Sequence, residues 1–242
     1  MNDVESRVRT AVRIYWETRF AQNEKQGIGT GTRDQGNRSA VTGGAQLNGF
    51  VDLIRSLIIE CGIADAAVHS KQTVIPGFYR PSKDWDLVVV SKSNLLATIE
   101  VKSHAGPSFG NNFNNRVEEA LGNAADFWAA YQNGAFKPST RPFLGYLMLL
   151  EEDTGSMTPV KERKKLHFPV REEFVGSSYA DRYSLFCRKV LRDRLYDGAC
   201  LLMSNRAAGV QGGYRQPDPE LSFENFALQL QARALAFSKS GS

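Results

Sequence analysis

Cysteine is scarce in this 242-residue chain, and its three copies (Cys61, Cys187, Cys200) lie far apart. An odd number without a C-x-x-C pair argues against a disulfide framework or a thiolate zinc site and fits buried thiols in a reducing compartment. Histidine is equally rare and scattered (His69, His104, His167). No apolar run approaches the length of a membrane-spanning helix, and the N-terminus has no signal-type apolar segment, so no membrane partner is expected. Internal repeats and an evident interdomain linker are absent. The G-x-G-x-G run at residues 27–31 follows a helical pattern instead of a strand, so it is not a dinucleotide fingerprint. Nor does the chain carry the Asn/Asp-Pro-Pro-aromatic tetrapeptide of a DNA methyltransferase. A soluble, intracellular chain forming a single domain over residues 1–242 is the expectation.

Charge is present in quantity but nearly balanced. Thirty basic residues against 26 acidic ones leave a net charge of +4 and a pI near 9.0, which alone gives only a modest preference for a polyanionic partner. The basic set is richer in Arg than in Lys, which suits bidentate recognition of phosphate and guanine.

The most informative stretch is residues 79–116, YRPSKDWDLVVVSKSNLLATIEVKSHAGPSFGNNFNNR. Two short aliphatic runs, 87–90 and 95–99, are separated by turn formers at 91–94 and predict a buried hairpin. Asp86 opens its first strand, and Glu100 and Lys102 stand near the end of the second. Alternation puts Glu100 and Lys102 on one face and Ile99 and Val101 in the core. Folding the hairpin brings Asp86 to Glu100. Two carboxylates, the Val101 carbonyl and an ammonium make a site for a hard divalent cation beside an anion, the chemistry of phosphodiester hydrolysis. An E-x-K pair by itself is more often a surface ion pair; the aspartate at hairpin distance brings the metal-site reading level with that one and leaves both open.

The rest of the chain alternates helical and strand patterns. A helix over residues 3–22, N-capped by Asp3, carries Val4, Val8, Val12, Trp16 and Phe20 at i, i+4 spacing, with Arg7, Arg9 and Arg13 off the stripe. A Gly-rich loop at 23–47 offers Arg33 and Arg38 as phosphate contacts. A second helix over 48–61 buries Phe50, Leu53, Ile54, Leu57 and Ile58, and its Glu60 is a possible further metal carboxylate or a surface residue. A strand is expected over 68–74. A loop at 105–115 carries Asn111, Asn112, Asn114 and Asn115, residue types that cap helices and also read adenine edges. A helix from Arg116 to Tyr131 is expected to bury Val117, Leu121, Ala124, Ala125 and Trp128. Residues 143–150 read as a central strand, with Glu151, Glu152 and Asp153 ending it in solvent. The basic segment 158–165 is a DNA-backbone contact or a solvated loop. A helix at 179–196, a strand at 199–203, a Gly-rich loop, a helix at 222–237 and a short tail (238–242) complete an α/β pattern with a mixed sheet flanked by helices. Arg80, Lys83 and Arg116, close to the hairpin, are candidate phosphate contacts. His104 is expected to make a structural hydrogen bond.

Asp86 followed by Glu100-Val101-Lys102 resembles the PD-(D/E)xK nuclease signature, with Trp85 where proline often stands. The longer strings YRPSKDWD and EVKSHAGPSFGNNFNNRVEEALG resemble the XhoI family of type II restriction endonucleases. The likeness extends to residues 37–39 with Gly43 and Gly44, to residues 168–170 and to residues 183–191. This resemblance implies a restriction-endonuclease-like core and Mg²⁺-dependent cleavage of both strands of double-stranded DNA. It implies the palindrome CTCGAG, cut after the first C to leave 5′-phosphates and 5′ overhangs. It further implies a homodimer in the bacterial cytoplasm, partnered functionally by a DNA methyltransferase of the same specificity. A nuclease of the same core that reads DNA shape in repair or recombination, and a DNA-binding protein without catalysis, are the alternative readings.

Overall fold

The computed structural model describes residues 2–29, 44–161 and 167–240. A five-stranded mixed sheet forms its centre, in the order β1 (Val68–His69), β4 (Leu87–Ser91), β5 (Asn94–His104), β6 (Phe143–Glu151), β7 (Gly198–Ser204). Strands β5, β6 and β7 run parallel, and β4 runs antiparallel to β5. Five helices cover the sheet: α1 (Asn2–Gly29), α2 (Asn48–Glu60), α3 (Phe109–Gln132), α4 (Tyr179–Arg192) and α5 (Phe223–Ser240). None of them is long and apolar enough to cross a membrane.

Strand alternation divides the apolar residues between two layers. Leu87, Val89, Ile99, Val101, Leu147, Leu149, Cys200 and Leu202 join the core formed with α1, α2 and α5. Val88, Leu144, Tyr146, Met148, Leu201 and Met203 join the core formed with α3 and α4. Every residue of β6 is buried, which explains its unbroken apolar sequence. The expected mixed sheet with flanking helices is the observed architecture.

The β4–β5 hairpin pairs Leu87 with Ile99 and Ser91 with Asn94. Its two-residue turn places Lys92 and Ser93 at φ 49° and 61°, as a primed turn requires to match the strands' twist. A smaller two-stranded sheet, β2 (Val74–Pro76) with β3 (Ser82–Asp84), immediately precedes it. The expected strand at 68–74 is therefore two pieces belonging to different sheets.

Several boundaries differ from the sequence reading. Helix α1 continues to Gly29, past the expected loop start at residue 23, and Asp3 lies inside its first turn paired with Arg7, not at the cap. Val8, Val12 and Trp16 are buried as expected, together with Ala11 and Tyr15, whereas Phe20 is exposed. A strict i, i+4 series advances 400° per step, so it drifts about 40° each time off the buried face. Arg33, Arg38 and half of the expected basic segment at 158–165 (residues 162–165) lie outside the described residues. Helix α3 begins at Phe109, so the four asparagines expected in a loop are helical. Phe109 and Phe113 contact the Tyr179 ring, and Phe113 also meets Tyr183; this apolar pair carries the helix through the polar run. On α3, Ala124 and Trp128 are buried and Val117 is partly so, but Leu121 and Ala125 face outward. Helix α4 ends at Arg192, short of residue 196.

Candidate active site

The parallel arrangement of β5, β6 and β7 gathers their C-terminal ends at one edge of the sheet, and the start of antiparallel β4 lies there too. Asp86 sits one residue before β4, where the next rung of the ladder beyond Leu87–Ile99 would form. Its carboxylate takes that rung: Oδ2 accepts the Val101 N–H at 2.8 Å. The N–H and C=O of one strand residue point to the same side, so the Val101 carbonyl is directed towards the Asp86 edge.

Glu100 is buried, with 1% of its surface exposed. The Lys102 ammonium stands 2.9 Å from its Oε1 and 3.5 Å from Asp86 Oδ2, so one cation bridges the two carboxylates. Lys83 contributes a second ammonium at 3.2 Å from Oε1 and lies 4.5 Å from the centre of the Trp85 ring. Asn123 Nδ2 donates to both Glu100 oxygens at 2.9 and 2.8 Å. Burial alone would push the Glu100 carboxyl up, but Lys102, Lys83 and the Asn123 donor hold it below the usual carboxylate range. Lys102 is raised: burial opposes its charge, and Glu100 and Asp86 outweigh burial. Glu100 and Lys102 are thus both charged at neutral pH.

Asn123 is also the inner end of a polar chain. Its Oδ1 accepts from Arg80 Nη2 at 2.7 Å, and Arg80 Nε donates to the buried Asp126 at 2.9 Å. Arg80 and Lys83, read from the sequence as phosphate contacts, therefore have internal anionic or amide partners as well as a place on the cleft wall.

Asp86, Glu100, Lys102, Asn123, Arg80 and Lys83 line one cleft of about 520 Å³, which Arg19, Asn112, Arg116, Glu119 and His104 also border. Asn112, Arg116, Glu119 and Asn123 follow one another at steps of 4, 3 and 4 along α3, a single helical stripe. Arg116 pairs with Glu119. Asn111, Asn114 and Asn115 fall off that stripe and are exposed; they do not line the cleft. The His104 ring is buried with Nδ1 2.7 Å from the Tyr183 hydroxyl, and burial lowers its pKa to about 4.

Sequence reasoning missed Asn123 and Arg19. Asn123 stands seven residues after Arg116, so projecting that helix face forward would have found it. Arg19 was passed over in favour of Arg7, Arg9 and Arg13. Arg7 pairs with Asp3 and Glu60, and Arg9 with Glu5; Arg13 lies 4.0 Å from Glu17. Glu60 is absent from the cleft lining. Glu151 does not end β6 in solvent: it is buried, accepts the Gly106 N–H at 2.8 Å and pairs with Arg206.

The carboxylate, carbonyl and ammonium donors suit a hard cation. Among the described residues no group of three or more His, Cys, Asp or Glu side chains forms a metal cage. A two-carboxylate site of hard oxygens, already gathered around a cationic nitrogen, fits a divalent ion that keeps most of its waters.

Comparison with known proteins places this geometry in a family. The profile described as restriction endonuclease XhoI matches residues 25–216. The type II restriction enzyme BstVI of Geobacillus stearothermophilus is 48% identical over 204 residues, covering 82% of this chain and 91% of that protein. The type II restriction enzyme XhoI of Xanthomonas vasicola is 40% identical over 189 residues, covering 76% of this chain and 73% of that enzyme. AbrI of Azospirillum brasilense, another type II restriction enzyme, is 44% identical over 152 residues, covering 62% and 68% respectively. No solved structure gives a significant match. With the family model matched over residues 25–216 and relatives at 40–48% identity, the chain belongs to the XhoI family of restriction endonucleases.

Proposed function

We propose that the chain is a type II restriction endonuclease that cuts both strands of double-stranded DNA at CTCGAG, after the first C, with Asp86, Glu100 and Lys102 as its catalytic residues. The observation that carries this reading is the meeting of those three side chains in one cleft, in a chain of this family. Asp86, Glu100 and the Val101 carbonyl would hold Mg²⁺. When bound, that ion polarises the scissile phosphate and makes water a competent nucleophile at neutral pH.

The protein groups have separable tasks. Glu100 must remain ionised to serve as a ligand, and the Lys83, Lys102 and Asn123 donors keep it so. Lys102 is a point charge with three donors; its ammonium, beside both carboxylates, would orient the attacking water and stabilise charge developing on the phosphate. Arg116 and Asn112, on the α3 wall, hold the DNA backbone in register. Asn111, Asn114 and Asn115, exposed on the first turns of α3, remain candidates for base contacts. Cleavage of a palindrome in both strands implies a two-fold dimer with one such cleft per strand. The functional partner is a methyltransferase that protects the same site, and both act in the bacterial cytoplasm.

The test is digestion of unmethylated duplex DNA of known sequence, with and without Mg²⁺, mapping every end at nucleotide resolution. Metal-dependent ends confined to CTCGAG are expected. Metal-dependent cutting without sequence preference would replace this reading with a repair-type nuclease, and no cutting under either condition would leave a binding protein. Lys102→Ala should abolish cleavage while retaining DNA binding by gel shift; cleavage at the wild-type rate would mean the active site lies elsewhere.

A further inference from the structure

Between β2 and β3 the chain turns through residues 77–81, and this turn carries two aromatic side chains that enter neither core. Tyr79 is 76% exposed and Phe78 49%. Their rings meet edge to face with centroids 4.9 Å apart. Large aromatic groups left in water beside one another mark a contact surface more often than a tolerated accident.

The turn is fastened from beneath. The N–H groups of Phe78 and Tyr79 both donate to Asp126 Oδ1, at 2.9 and 2.7 Å, and Arg80 Nε donates to Oδ2. Asp126 projects from α3 and is itself buried. Gly77 makes the close approach possible, since a Cβ there would lie 2.5 Å from Asp126 Oδ2 and 2.7 Å from the Arg80 carbonyl. The backbone that carries the two rings is therefore fixed before any partner arrives, which removes part of the ordering cost of a contact.

We propose that the Phe78–Tyr79 tip is a DNA-contacting element, packing its rings against deoxyribose and base edges of the duplex whose scissile phosphate lies in the cleft. The inference rests on the DNA-cleaving reading above. Two observations identify the occupant. Arg80, the next residue along the turn, and Lys83, in β3, line the cleft with Asp86 and Glu100, and consecutive Cα atoms are only about 3.8 Å apart. The cleft beside the tip also holds Arg19, Lys102 and Arg116, so its lining sets five cations against Asp86, Glu100 and Glu119, a cationic excess that suits a phosphate-edged groove better than a neutral protein face. Through Asp126, Arg80 and Asn123 the same turn is tied to Glu100, so the contact and the chemistry share one rigid support.

The experiment compares wild type, Phe78→Ala/Tyr79→Ala and Tyr79→Phe. Binding of a fluorescein-labelled CTCGAG duplex is read by anisotropy in Ca²⁺, alongside elution volume and thermal melting. Because neither ring joins a core, the double variant should melt and elute close to wild type while its Kd for the duplex rises about tenfold. Tyr79→Phe should bind within twofold of wild type, since the ring and not the hydroxyl makes the contact. A double variant that binds as tightly as wild type would overturn the inference even where wild type cleaves DNA. A changed elution volume accompanying the weaker binding would reassign the tip to contact between two copies of the chain. A wild-type protein that neither binds nor cuts duplex DNA would remove the underlying function and this inference with it.

Discussion

At the scale of single residues, the site depends on keeping one buried carboxylate charged. Asn123 gives Glu100 two hydrogen bonds. Asn123→Ala should cost about 1–3 kcal/mol of stability by leaving buried acceptors short of donors. Loss of an outer-shell partner should also weaken activity or metal affinity by about 10–100-fold. Cleavage titrated against Mg²⁺ distinguishes the two: a shifted metal requirement is expected, and a uniformly lower fraction of folded enzyme would indicate a structural effect alone. His104 supplies a pH prediction. Its folded pKa of about 4 lies below its ordinary 6.5, so between these values the unfolded chain binds a proton that the folded chain refuses. Stability should fall as pH drops through that window, by about 3 kcal/mol at 1.36 kcal/mol per pH unit. Glu100, with its pKa depressed, adds stability above the ordinary carboxylate range that is lost as pH falls through its own lowered value. His104→Gln should flatten the dependence of Tm on pH between 6.5 and 4. An unchanged slope would assign the acid sensitivity elsewhere. Asp86, Glu100 and Lys102 were legible because strand alternation and hairpin length fix where those side chains go. Asn123 was not, because its partner is distant in sequence and an asparagine in a helix has many ordinary uses.

At the scale of elements, the β2–β3 hairpin and α3 act as one piece. Asp126→Ala would remove the two backbone bonds and the Arg80 pair that fix residues 77–81, so chymotrypsin should cut after Phe78 or Tyr79 in that variant and leave wild type intact there. Equal resistance would show that the strand pairing of Val74–Pro76 with Ser82–Asp84 suffices. Central strands were read well from sequence: β4, β5, β6 and β7 are short aliphatic runs whose burial on both faces permits no other periodicity. Helix starts were read poorly. The N-terminal end of α3 is hidden by asparagines, and only the Phe109 and Phe113 contacts with Tyr179 and Tyr183 reveal why it is helical. Glu151 was misread because a charged residue at a strand end normally signals solvent, and nothing local announces Arg206 as its partner.

For the molecule as a whole, the proposed dimer should sediment at twice the 26.9 kDa of one chain; a monomer that still cuts both strands at one site would require sequential action. The cleft lining sets Arg19, Arg80, Lys83, Lys102 and Arg116 against Asp86, Glu100 and Glu119, an excess of two cations at one place in a protein whose net charge is only +4. Its DNA affinity should therefore fall steeply with salt although the chain is barely basic overall, and Arg116→Ala should reduce the slope of log K against log[salt] by about one. Composition could not foretell this, because local concentration of charge depends on which helix faces the sheet edge.

The stripe of Asn112, Arg116, Glu119 and Asn123 on α3 sets where this chain can change in length. The four side chains span about 16 Å at 1.5 Å per residue and share a wall only because the helix keeps its phase. One codon inserted near Gly122 would turn Asn123 by about 100° and draw it away from Glu100, while Arg116 stayed in place. Between α3 and β6, at residues 133–142, the same codon would only lengthen a connection. Lineages of this enzyme are therefore expected to differ by insertions and deletions in that connection and to keep α3 free of them.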